Sequence, residues 1–206
     1  MKIIVIENAE PCNKIASDAL ISVMKSCPRL WMKADSALLK NNKPFFIPEF
    51  TSECSASVYL ALRISRMGKS VPARFAHRYY DAFTVAVDFT AEDLLRHLRE
   101  AGEPWDMAKS FDASVAIGEF VELGEYHHSL QVRASLSVNG TEVSENVCDD
   151  VNGFIDDALE KVSRIFTIRQ GDLVLVGKPK GKPIVKINDH LTASLNGQTL
   201  LDFNVK

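Results

Sequence analysis

PWDMAKSFDAS, residues 104–114, sets a lysine among small and apolar neighbours. Trp105, Met107 and Phe111 crowd about it, so the stretch reads as half-buried. A lysine ordinarily keeps its ammonium in water while its stem lies along apolar surface. Lys109 therefore either snorkels out of an ordinary apolar patch or carries a charge wanted inside a pocket. Local sequence leaves both readings open.

The flanking segments are β-rich. Upstream, FTVAVDF (83–89) reads as a strand. Thr90 then stands where a helix cap is expected, with Asp93 at the capping-box position. Ala91, Leu94, Leu95 and Leu98 give that helix its inner face, and Gly102 closes it. SVYLALRIS (57–65) is another strand, and LWM (30–32) and FFI (45–47) read as short ones around the turn-prone NNKP at 41–44. The opening KIIVI, broken by Glu7, reads as a buried first strand and not as a signal peptide. Apolar positions 15, 16, 19, 20, 23 and 24 fit a helix ended by Pro28.

The second half alternates cleanly. Leu130, Val132, Ala134, Leu136 and Val138 face one way along LQVRASLSVNGTEV, and Asn139-Gly140 is a strong hairpin signal. A helix from about Asn152 turns Phe154, Ile155, Ala158, Leu159, Val162 and Ile165 inward, with Asp156, Asp157 and Glu160 on its wet early turns. The paired aspartates 149–150 and 156–157 read as capping and solvation, not as a calcium site. LVLVG, PIVKI and LTASL follow, then a second Asn-Gly turn at 196–197 and LLDFNVK. Many short strands with few helices imply an α+β fold on a large, mostly antiparallel sheet system. No repeat, low-complexity tract or linker interrupts residues 1–206, which read as one domain.

Composition narrows function. With 24 Lys plus Arg against 27 Asp plus Glu, the formal charge is −3. No concentrated basic surface exists for nucleic acid, and no apolar run is long enough to span a bilayer. The four cysteines lie far apart with no CxxC pair, which fits reduced, packed thiols in a cytoplasmic protein and not a zinc site. His127 and His128 are adjacent, so on a strand they would face opposite ways.

VDFTAEDL (87–94), GEPWDMAKSFDASVAIGEFV (102–121) and GDLVLVGKPKG (171–181) together resemble the fumarylacetoacetate hydrolase family. Its members show a D-x-T-x-R-D junction, a G-x-P-W-x-x-A-K-x-F-D segment and a GD-x-(hydrophobic)-x-TGTP-x-G turn. The likeness runs from about Leu30 to the C-terminus. It implies a mixed β-roll, usually dimeric, and an Mg²⁺ or similar ion that chelates a 2-oxo acid or diketo substrate. The ion polarises the ketone and stabilises a developing enolate. Lys109 stands at the family's pocket lysine, which favours the pocket charge over snorkelling.

The departures are as informative. The family's metal is held by a Glu-x-Glu pair and the aspartate of the D-x-T junction. Asp88 supplies the aspartate, but Ser57 and Tyr59 occupy the two glutamate positions. On a strand both project to one side, and their neutral hydroxyls are poor ligands for a hard cation. Glu53, about 13 Å before Ser57 along the strand, reaches the site only by a register shift. The arginine of D-x-T-x-R-D is Glu92, and the second threonine of TGTP is Lys178. The histidine–glutamate pair of hydrolytic members has no histidine counterpart in IENAEPCNKIASDAL (6–20), where Glu7 and Glu10 stand without a partner. The expectation is a degenerate metal site holding no metal, or Mg²⁺/Mn²⁺ weakly, with weak or no family activity. Lys109, Lys178 and Thr90 would bind a small carboxylate or 2-oxo acid. The alternative is an active metal-dependent enzyme of the 2-hydroxyhepta-2,4-diene-1,7-dioate isomerase or acylpyruvate hydrolase kind. A third reading is metal-free tautomerisation by Lys109 or Tyr59.

Overall fold

The computed structural model of the chain describes residues 1–7, 29–122, 131–148 and 150–206. The helix expected over residues 15–24, the histidines at 127 and 128, Glu10, Leu130 and Asp149 lie outside the described residues.

Strands form where β-branched and aromatic residues alternate or cluster. In chain order these are β1 (Ile3–Glu7), β2 (Arg29–Lys33), β3 (Leu38–Leu39), β4 (Cys54–Ile64), β5 (Tyr80–Ala91), β6 (Val115–Ile117), β7 (Val121–Glu122), β8 (Val132–Val138), β9 (Thr141–Cys148), β10 (Leu173–Gly177), β11 (His190–Leu195) and β12 (Gln198–Asn204). The helices are α1 (Ala73–Ala76), α2 (Glu92–Ala101), α3 (Asp106–Lys109) and α4 (Val151–Ile165). One sheet runs β2-β1-β10-β4-β5-β6-β3, with β7 also on β5, and a second runs β12-β11-β8-β9. Pairing is antiparallel except at β1–β10 and β3–β6, so the system is mixed.

The long central strands have two buried faces. On β4, Ala56, Val58, Leu60, Leu62 and Ile64 enter the main core, which the second sheet and α4 cover. Burying each of the larger of these side chains stabilises by about 1.5–3 kcal/mol. Ser57, Tyr59 and Ala61 point the other way, as period-two geometry requires. There, Ile3 and Val5 of β1, Ala86 of β5, Val115 and Ile117 of β6 and Leu175 of β10 form a second, smaller core. The large sheet curls around this inner face. Lys33 at the end of β2 bonds Ser114 just before β6, joining the first edge of the strand order to its far side. The result is the expected mixed roll with few helices.

Both Asn-Gly hairpins form as expected, with positive φ at all four residues. Several details differ from expectation. Phe45–Ile47 make only a single bridge, Phe45 to Val205, and Ile184 alone of PIVKI is bridged, to Ser55. Both segments border strands without joining a ladder. Ile165 is exposed, because α4 ends there and its last turn leaves the sheet. Asp156 is not simply solvated: it accepts from the Tyr80 hydroxyl at 3.3 Å, and burial raises its carboxyl above the ordinary value. Thr90 does not cap α2, since β5 continues through Ala91. Asp93 ties the helix start instead. It accepts from Thr51 Oγ1, from the N–H and hydroxyl of Ser52 and from the Leu94 N–H. Burial opposes ionisation of this carboxyl, but those hydrogen bonds prevail and hold it well below the usual range.

Candidate functional site

Register brings the site residues together at one end of the inner face. Ser57 lies directly across from Asp88, and Ser55 across from Thr90. Tyr59 faces Ala86, whose small side chain leaves room for the phenol. Glu7 pairs with Gly177 on one side and Arg29 on the other. All point inward because each shares the parity of its strand's inner-core residues.

Two lysines enter from different directions. Lys33 is sealed, with its side chain wholly inaccessible. Its Nζ lies 2.5 Å from Asp88 Oδ1 and donates to Ser114 Oγ at 3.0 Å and Ser114 O at 3.1 Å. Burial pushes this ammonium below its ordinary pKa, and the Asp88 carboxylate works against that push. Apart from this ion pair, Asp88 Oδ1 has no hydrogen-bond partner among the described residues.

Lys109 closes α3, whose Ala108 packs with Ala91 and Leu95 beneath α2. Lys109 is 6% exposed, donates to Thr90 Oγ1 at 3.2 Å and lies 4.1 Å from the ring centroid of Trp31. Burial lowers its pKa first, opposed by Asp88 and reinforced by Lys182. The sequence suggested Trp105 and Met107 as its companions. Met107 is instead exposed, and Trp105 stacks under Arg99 at 4.8 Å. The aromatic partner comes from β2, because Trp31 and Lys33 share its inner face. Lys109 opens on a cavity of about 380 Å³ whose wall includes Leu30, Trp31, Met32, Trp105 and Phe166.

Of the other expected residues, Glu53 pairs outward with Arg96 at 3.0 Å, which keeps it off the site. Glu92 accepts from Ser55 Oγ at 2.6 Å. Lys178 has its N–H on Asn146 Oδ1 at 3.1 Å, holding the glycine turn in place. A Cβ on Gly177 would sit 2.4 Å from Asn146 Nδ2, so this close approach requires glycine. Three site residues were not recognised. Lys33 was hidden in an ordinary-looking LWMK strand, and Lys182 in a lysine-rich turn. Glu7 was seen but taken as unpaired. Its Oε1 accepts from Tyr59 Oη at 2.5 Å, with Arg29 at 3.5 Å and Lys182 at 4.0 Å. Burial, first, and then the charge of Asp88 drive the Tyr59 phenol well above its usual pKa.

The described residues alone do not supply the oxygen set of a divalent cation. Such ions need several anionic oxygens. Among the described residues no group of three His, Cys, Asp or Glu side chains converges. Asp88 is matched by an internal ammonium, and Tyr59 has committed its hydroxyl to Glu7. What remains is a desolvated lysine beside a mostly apolar cavity whose wall also includes Asp106 and Ser110.

The mixed roll with Asp88 and Lys109 on its inner face has the architecture of a known enzyme family. The chain matches the fumarylacetoacetate (FAA) hydrolase C-terminal family over residues 7–206, and it belongs to that family. It is 31% identical over 185 residues to the protein named oxaloacetate tautomerase FAHD1, mitochondrial, of Rattus norvegicus, which covers 90% of this chain and 84% of that one. The crystal structure of a putative FAA hydrolase family protein from Yersinia pestis superposes with a TM-score of 0.83 at 28% identity, covering 100% of this chain and 92% of that one. The fold also matches fumarylpyruvate hydrolase from Pseudomonas aeruginosa, solved with Mn²⁺ and pyruvate, at 22% identity and a TM-score of 0.83, covering 100% and 89% of the chains.

Proposed function

We propose that this family member has a degenerate metal site and receives a small carboxylate or 2-oxo acid at Lys109, with the family's metal-assisted chemistry weak or absent. The observation that carries the reading is the Lys33–Asp88 pair. The one expected metal ligand with a charge already holds a buried cation at 2.5 Å.

Binding follows from the surroundings of Lys109. Of its three N–H donors one goes to Thr90, and the Trp31 face takes a share of the charge. A donor remains for the cavity. In a site shielded from water, a charge-assisted hydrogen bond to a carboxylate contributes about 1.5–3 kcal/mol. Lys182 lends further positive potential, and Lys178 holds the turn that carries it. The rest of the reading is a single domain over residues 1–206, whose two sheets share one core, acting as a cytoplasmic homodimer. The buried free thiol of Cys54 supports that compartment, and the family resemblance supports the dimer.

Titration calorimetry with pyruvate in the presence of a chelator tests this. Binding should persist without metal and weaken at least about tenfold in Lys109→Met. Mn²⁺ alone should bind weakly to the wild type and more tightly to the double variant Ser57→Glu, Tyr59→Glu. Tight wild-type Mn²⁺ binding overturns the proposal. One observation favours the alternative of an active metal-dependent enzyme: Asp88 Oδ1 is buried with no close partner but Lys33 among the described residues. Turnover of oxaloacetate or an acylpyruvate that a chelator abolishes would establish that alternative instead.

A further inference from the structure

A lysine is a nucleophile only when its amine has lost its proton, and an enclosed lysine loses it more readily than one in water. Lys109 meets the conditions that favour this. It is 6% exposed, its Nζ donates to Thr90 Oγ1 at 3.2 Å, and the Trp31 ring centroid lies 4.1 Å away. Neither partner is an anion, so no ion pair among the described residues fixes the charge. Burial is the largest influence on its pKa and lowers it. Asp88 opposes that push, Lys182 reinforces it, and Glu7 and Glu92 oppose it more weakly. Lys33 is the contrast: its side chain is sealed against Asp88 at 2.5 Å, out of reach of any ligand.

The amine of Lys109 also has a place to work. It lines a cavity of about 380 Å³, ample for a small 2-oxo acid. Most of the wall is apolar, and its charged and hydroxyl members besides Lys109 are Asp106 and Ser110. Ser110 Oγ is spent on Met32 O at 2.7 Å. Asp106 stands one turn before Lys109 on α3 and is the one acid among the lining residues. A 2-oxo acid held at this lysine by its carboxylate brings the reactive carbon with it, because the ketone carbon is bonded directly to the carboxyl carbon.

We propose that Lys109 condenses with that ketone to an imine, which takes over the electron-sink role of the family's metal ion. The proposal rests on the 2-oxo acid reading of Lys109 and deepens it. The neutral amine adds to the ketone carbon, forming the C–N bond while the carbonyl π pair moves onto oxygen. A proton passes from nitrogen to that oxygen, giving a carbinolamine. A further proton lets the oxygen leave as water as C=N forms, and Asp106 on the same wall is the side chain that relays these protons. The sum is amine plus ketone giving imine plus water, with no oxidant or reductant. The protonated imine draws electrons from the adjoining carbon, so a C–H there becomes acidic and an enamine forms. That enamine is the counterpart of the enolate which a metal ion would stabilise.

In the test, full-length protein is incubated in chelator with pyruvate, and sodium cyanoborohydride is added to reduce the imine to a stable secondary amine. Intact mass should show one pyruvate-derived adduct per chain, and peptide mapping should place it on Lys109 and not on Lys33. In deuterated buffer without reductant, the methyl hydrogens of pyruvate should exchange faster than in buffer alone, read by proton NMR. Lys109→Arg keeps a cation for the carboxylate but cannot form an imine. It should retain pyruvate binding by calorimetry to within about tenfold, lose the adduct, and slow the exchange at least about a hundredfold. Wild-type binding without an adduct, an adduct mapped to another residue, or adduct and exchange unchanged in a folded Lys109→Arg overturns the imine and leaves the binding reading standing. Absence of both binding and adduct in the wild type sinks the binding reading itself, so the two failures are distinguishable.

Discussion

Lys33 and Lys109 are both buried, and both stand on the inner side of the roll, yet their surroundings differ in one decisive respect. Lys33 has a carboxylate at 2.5 Å and backbone and hydroxyl oxygens around the rest of its ammonium. Lys109 has a hydroxyl, an aromatic face and an open cavity. A buried cation matched by its own anion belongs to the architecture. One left with only neutral partners is an invitation to a ligand. The sealed side of the roll and its open end thus use the same residue type for opposite ends.

The contrast is most sharply broken by deleting the internal anion. Asp88→Ala leaves Lys33 charged and unmatched, and should cost about 3–5 kcal/mol in stability, read by denaturant unfolding. A loss below about 1 kcal/mol would mean that Lys33 is not held by charge. Lys109→Met should behave in the opposite manner. Its carboxylate affinity falls at least about tenfold, near 1.4 kcal/mol, while its unfolding midpoint stays close to that of the wild type. A collapse in stability there would move Lys109 into the architectural group. Thr90→Val gives a smaller signal: binding weakens by about threefold as the ammonium loses its orienting acceptor, measured by calorimetry.

A third carboxylate calibrates the comparison. Asp93 is held by hydroxyl and amide donors and not by a cation, so Asp93→Ala should cost only about 1 kcal/mol at neutral pH. Its folded pKa lies below the unfolded one. Its stabilisation is therefore present above the unfolded value near 4 and is lost as pH falls through the lower, folded value. Unfolding curves of wild type and variant should converge in acid. A difference that persists there would assign Asp93 a packing role.

Much of the roll is legible one residue at a time. Alternation along 132–138, both Asn-Gly turns and the α2 stripe Leu94, Leu95 and Leu98 need only neighbours to be read. The cluster at the site is different, because register between distant strands creates it. Nothing near LWMK says that Lys33 will meet Asp88, 55 residues later. Nothing near KIIVIE says that Glu7 will meet Tyr59 across an intervening strand. The parity rule does contain a usable signal. Once β2 is known to turn Trp31 inward, Lys33 must follow, and an inward lysine demands an anion. The identity of that anion waits for three-dimensional pairing. Ile184 and Phe45–Ile47 failed for a related reason: strand-like composition makes a ladder only where a neighbour offers free backbone groups.

The Tyr59–Glu7 bridge passes over Gly177, the one position of its row without a side chain. That ties two distant codons into a single mutational unit. An acid placed at 59 while Glu7 persists would set two negative charges against each other with no added counter-ion. Substitutions at 7 and 59 should therefore be strongly non-additive, one partner setting what the other tolerates.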